Sequence, residues 1–161
     1  MSAVDLDRVD ERRSNSTLSR PRAVVPRPQV AESVLVVANQ TIASDALFEL
    51  ARRRASTIRT VFTLLVPADV SDGSAASRVT AAADRMRRAD MKVDRVVFRR
   101  GDPFTAILGV YERSLYDEII ISTLEQGQSQ WLRLDLPRRV QRATGAVVTR
   151  LSAGGKSQTF C

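Results

Sequence analysis

Five short apolar runs recur along this chain, and the segments between them carry apolar residues three or four positions apart. SVLVVAN (33–39), TVFTLLVP (60–67), KVDRVVFRR (92–100), EIIIS (118–122) and AVVTRL (146–151) are rich in β-branched residues. Near-continuous runs of this kind mark strands buried on both faces. The intervening segments read as helices. Ser44 caps one whose inner side holds Leu47, Leu50 and Ala51, with Arg52, Arg53 and Arg54 near its end. A second buries Val79, Ala82, Ala83 and Met86 and places Arg78, Arg85 and Arg88 outward. Gly101-Asp102-Pro103 gives a turn, a cap and a first-turn proline before the stripe Phe104, Ile107, Leu108, Tyr111 and Leu115. A last helix starts at Asp135 and Pro137, turns Leu136, Val140 and Ala143 inward and Arg138, Arg139 and Arg142 outward, and stops at Gly145.

Strands and helices that alternate in this way form an α/β fold, because right-handed crossovers force a parallel sheet with helices on both faces. Five strands are expected. Such sheets bind ligands beyond the C-terminal strand ends, where the strand order reverses. That point falls between the first and fourth strands, so the loops after Asn39 and after Ser122 are where chemistry belongs.

The folded domain is expected over 33–151. Residues 1–32 mix Ser, Pro, Arg and acids without sustained periodicity and read as a disordered basic tail, and 152–161 as a shorter flexible one. Runs such as VLVVA are far short of the roughly 20 apolar residues of a membrane span, and the acidic N-terminus lacks an apolar leader core. A cytoplasmic protein with no membrane partner is the expectation. The chain has no histidine, and Cys161 is its single cysteine, which removes Cys/His zinc sites and histidine-based triads. No metal and no catalytic residue is expected. The formal charge of +7 suits an anionic partner, although only two of the 25 basic residues are lysines, the pattern of an arginine-biased genome.

The chemistry-bearing residues cluster in the loops at the switch point. Asn39, Thr41 and Ser44 read either as a ligand rim or as strand termination and helix capping. Gly101 belongs to a turn that either caps a helix or flanks the ligand. STLEQGQSQW (122–131) ends a buried strand in hydroxyls, one glycine and glutamines. Ser122, Thr123, Gly127 and Ser129 therefore form either an anion site or a solvated loop. Arg133 is the cation close enough in sequence to compensate a phosphate, or else it pairs with Asp135. Trp131 is a hydrophobic lid, a dimer contact or a stacking platform.

GDPFTAILGVYERSLYDEIIIST (101–123) resembles the universal stress protein family, with its glycine-x-proline turn, amphipathic helix and apolar strand in register. The resemblance covers about 33–151. STLEQGQSQWLRLDLPRRV resembles a divergent actinobacterial branch with a serine-tryptophan-leucine and aspartate-leucine-proline signature. The resemblance implies an adenine nucleotide hydrolase-like fold and a stress-response role. In ATP-binding members a G-x2-G-x9-G-(S/T) loop cradles phosphates. Here Gly127 and Ser129 fit part of that pattern, while Leu124, Leu134 and Asp135 stand where glycine, glycine and hydroxyl are expected. Asn39 replaces the aspartate that many members carry.

The resulting expectation is a non-enzymatic regulatory module with a degenerate nucleotide or small-anion site, ATP, AMP or cAMP being the candidates. It would assemble as a homodimer through the open edge of AVVTRL. The alternative is a basic module that docks on nucleic acid, a ribosome or an acidic protein through its arginine-rich tail and helix faces. Dispersal of the basic clusters over three helices counts against a single nucleic-acid surface.

Overall fold

The computed structural model describes residues 31–68, 72–125 and 130–161, the side chains of Leu132 and Arg133 excepted. Of the tail expected over 1–32, residues 1–30 lie outside these residues, and Glu32 already belongs to β1. The strands are β1 (Glu32–Val37), β2 (Thr60–Ala68), β3 (Lys92–Arg100), β4 (Glu118–Thr123), β5 (Val147–Ser152) and β6 (Ser157–Phe160). The helices are α1 (Asp45–Thr57), α2 (Ala75–Arg88), α3 (Pro103–Tyr111), the single turn α4 (Gln130–Arg133) and α5 (Leu136–Thr144).

The sheet order is β3-β2-β1-β4-β5-β6. The first five strands pair in parallel, and the order reverses between β1 and β4 as expected. Period-two alternation sends successive side chains of each strand to opposite faces. Val34, Val36, Phe62, Leu64 and Ile120 meet Leu47, Leu50, Val79 and Met86 of α1 and α2. Leu35, Val37, Ile119, Ile121 and Val148 meet Ile107, Val110, Leu136 and Val140 of α3 and α5. Both faces are filled, which is why β1 and β4 read as unbroken apolar runs.

The sheet has six strands, not five. The expected flexible tail at 152–161 instead turns back through Gly155, at φ +88, and adds β6 antiparallel to β5. Three polar residues and one aromatic gave no apolar run to read, because β6 is exposed along most of its length. AVVTRL is therefore not a sheet edge. β6 covers it, with Thr149 against Thr159 and Arg150 against Gln158. Among the described strands the outer positions belong to β3 and β6. A chain ending at Ser152 uncovers the β5 edge, and sedimentation should then show self-association beyond that of the full chain.

Strand β2 also runs past Pro67 to Ala68. Ala38 N donates to Leu65 O at 3.2 Å, so Leu65 and, two residues on, Pro67 face β1. β1 has ended there, and the missing proline N–H leaves no ladder partner unsatisfied.

Candidate functional site

At the C-terminal strand ends a cleft of about 610 Å³ opens between the loops after β1 and β4. Its walls include Asn39, Thr41, Gly101, Asp102, Ser122, Thr123 and Trp131.

Beyond β1 the chain makes a tight turn in which Ile42 N donates to Asn39 O and Ser44 N to Thr41 O. The turn buries the Thr41 side chain, whose hydroxyl donates to Ser122 O at 3.1 Å. Thr41 thus ties the β1 loop to the β4 end across the switch point. Ser44 looks the other way: its Oγ accepts from Leu47 N and caps α1, and Ser44 is not part of the wall. Gly101 has φ +104, a conformation that L side chains rarely adopt, and it aims the chain from β3 into α3. Asp102 Oδ2 accepts from Thr105 N at 3.0 Å and from Thr105 Oγ1 at 3.1 Å, so the cap reading holds for that carboxylate.

Ser122 and Thr123 close the floor. They are 1% and 2% exposed, and neither hydroxyl has a hydrogen-bond partner among the described residues. Leaving a buried hydroxyl unpaired costs about 1–3 kcal/mol. Elsewhere in this protein the buried hydroxyls of Thr41, Thr60 and Thr149 are bonded.

Gly127 and Ser129 lie outside the described residues, as does the side chain of Arg133. Trp131 is half-buried, packs on the α3 and α5 side of the core, and lines the cleft. Two carboxylates close to this loop in sequence, Glu125 and Asp135, stand away from the wall. Glu125 lies with its carboxylate against Gly154 in the β5–β6 turn, where a methyl group would collide with Oε1. Asp135 is exposed, at φ 49, and makes no side-chain cap bond to α5; it marks the helix start without capping it. Among the described residues Asp102 is the carboxylate in the wall.

One cation reaches the rim from an unexpected place. Arg78, expected on the outer face of α2, donates through Nη2 to Asn39 Oδ1 at 3.0 Å and to Asp72 Oδ2 at 2.7 Å. Its side chain is 27% exposed. The hydrogen bonds from Arg78, and after them those from Ser74, hold the Asp72 carboxyl below its ordinary value. A depressed acid contributes stability that is complete above the unfolded carboxylate range, near pH 4, and is lost as pH falls through the lower folded value. The Asp72–Arg78–Asn39 chain is therefore intact at neutral pH. Its sequence signal was position: α2 begins at the ligand edge of the sheet, and Arg78 is in its opening turns. Arg85, seven residues further, is about 10 Å away along the axis.

With this geometry in place, comparisons with known proteins identify the fold. A universal stress protein crystallised in complex with cAMP aligns with 76% of this chain and 98% of its own, at 16% identity and a TM-score of 0.57. The universal stress protein from Archaeoglobus fulgidus aligns with 75% of this chain and 93% of its own, at 12% identity and a TM-score of 0.54. The chain has the fold of these proteins. No family model and no curated protein sequence matches it.

Proposed function

We propose that this chain is a non-enzymatic stress-response or regulatory module of universal-stress-protein type, whose cleft holds a small anionic ligand, an adenine nucleotide foremost. The observation that carries the reading is the pair of buried, unpartnered hydroxyls of Ser122 and Thr123 at the floor of the cleft. Unpaired hydroxyls at the strand end that lines the cleft have a use if a ligand's oxygens satisfy them. The cAMP bound by a protein of the same fold makes that nucleotide the first candidate. The described wall contains no lysine or arginine, which suits a ligand of modest charge better than a triphosphate.

The absence of histidine from the chain and the engagement of Asp102 in its cap support the non-enzymatic assignment. No group of three His, Cys, Asp or Glu that could hold a metal occurs among the described residues, and none of the described helices is long and apolar enough to cross a membrane. We assign the protein to the cytoplasm and to a homodimer. Sedimentation equilibrium at the monomer mass across micromolar concentrations sinks the dimer.

Titration with cAMP, AMP and ATP at millimolar concentration tests the ligand claim. Ligand at ten times its Kd adds about 1.4 kcal/mol, worth about 4 °C in Tm for a domain of this size. Neither heat nor thermal shift with any of the three refutes it.

A second reading is favoured by one surface. Arg138 lies over the Phe160 ring at 5.8 Å and Arg139 over Phe104 at 4.4 Å. By contrast Arg52 and Arg87 on α1 and α2 are ion-paired, and Arg85, over the Phe48 ring at 3.9 Å, is also paired with Asp45. A guanidinium group over a ring face can still offer its edge donors to an acidic partner. If that partner is nucleic acid, affinity should fall steeply between about 50 and 200 mM salt. A flat salt response discards nucleic acid as the partner.

A further inference from the structure

We propose that the Asp72–Arg78–Asn39 chain locks the Asn39 amide as a hydrogen-bond donor to the cleft, so that the ligand group seated at the β1 end is an oxygen acceptor and not an amine. The inference deepens the ligand reading of the cleft and rests on it. Its first premise is a matter of valence. Arg78 has only donors, so the Asn39 atom 3.0 Å from its Nη2 has to be the oxygen. Asp72 Oδ2 accepts from the same Nη2 at 2.7 Å, and Oδ1 accepts from Ser74 Oγ at 2.9 Å, which fixes the guanidinium from behind. Arg78 Nε is buried and has no partner among the described residues, so the side chain is held by its outer nitrogens alone.

With Oδ1 engaged, Asn39 offers its Nδ2 hydrogens to the cleft that it lines. No acceptor for them occurs among the described residues. Flipping the amide would face two sets of donors against each other and leave Oδ1 without its strongest partner. The neighbouring Thr41 hydroxyl has its proton committed to Ser122 O. A carbonyl oxygen of a base or a phosphoryl oxygen meets this donor equally well, whereas an exocyclic amine meets it hydrogen to hydrogen.

The chain contains only two asparagines, Asn15 and Asn39, so an N15D protein leaves one asparagine side-chain amide pair in a ¹⁵N spectrum. That signal reports on the lock directly. In free protein R78M should move it, and R78K, which again supplies only donors, should leave it near its original position. An unmoved signal in R78M overturns the lock without reference to any ligand.

Titrations with inorganic phosphate, inosine and adenosine then identify the acceptor. A shift of the Asn39 amide with phosphate alone identifies a phosphoryl oxygen. A shift with inosine, bound about tenfold more tightly than adenosine, identifies an oxo edge. In either case R78M should reduce the affinity of the responding probe by about tenfold and R78K should restore it. Binding that leaves the Asn39 amide unmoved with every one of the probes overturns the inference while sparing the ligand reading. No binding of any probe, nucleotides included, removes both.

Discussion

Arg54→Ala lowers the unfolding free energy by about 3 kcal/mol, although Arg54 is half-exposed and distant from the cleft. The cost falls on its partner. Arg54 Nε donates to Glu118 Oε2 at 3.0 Å and Nη2 to Oε1 at 3.1 Å, a two-pronged pair at the start of β4. The Arg54 side chain is 41% exposed and that of Glu118 only 10%. Removing the arginine leaves a nearly buried carboxylate with the Thr149 hydroxyl, at 2.7 Å, as its remaining side-chain donor among the described residues. Stripping the partner from a buried charge costs about 3–5 kcal/mol, and we take the low end because Arg54 itself is well solvated.

The pH dependence follows from the sign of the shift. The Glu118 hydrogen bond, the largest cause, and its charge raise the Arg54 guanidinium above its ordinary value, against the opposing effect of burial. A raised base contributes stability that is complete below its unfolded value and lost only as pH climbs through the folded one. The deficit in Arg54→Ala should therefore be equal at pH 6 and pH 9. Urea denaturation at the two pH values measures it. A loss under 1 kcal/mol would mean that Glu118 finds water in the variant. The double variant R54M/E118L, which removes both charges, should recover most of the stability.

Thr123→Val moves stability and binding in opposite directions. Valine is close to threonine in shape, and the hydroxyl it deletes is buried without a partner. Its removal should raise the unfolding free energy by about 1 kcal/mol. Ser122→Ala should gain less, because alanine leaves the hydroxyl's volume empty. Together they should weaken the cleft's ligand by at least tenfold, one lost hydrogen bond being worth about that factor. A rise in Tm with unchanged affinity would show the hydroxyls to be structural accidents. A fall in Tm would show that they already have partners. The single tryptophan, Trp131, lines the same cleft and provides an intrinsic fluorescence signal for the titration.

The parts of this protein legible without coordinates are those written in periodicity. VLVVA and the III of 119–121 are apolar at successive positions, which a strand packed on both faces requires, and Leu47, Leu50 and Ala51 mark one side of a helix. Crossover handedness then left little freedom in the sheet, and the cleft followed from the place where its order reverses. Asn39, Thr41, Gly101, Ser122 and Thr123 do meet there. Ser44 does not, because a hydroxyl that can cap a helix and one that can hold a ligand look alike in a string of letters.

Tertiary structure decided what long-range contacts decide. β6 exists because polar residues gain a ladder partner in β5, a pairing that local apolar pattern does not encode. Glu125 is drawn away from the cleft wall by the space above Gly154, and Arg78 is drawn toward the rim by Asn39 and Asp72. Glu118, at the start of an apolar run, became a deeply held charge only when α1 and β5 brought Arg54 and Thr149 to it. Hydrophobic period is a property of neighbours in sequence, so the chain alone could state it. The hydrogen bonds from Arg78 to Asn39 and from Arg54 to Glu118 join residues 39 and 64 positions apart, so only the fold could.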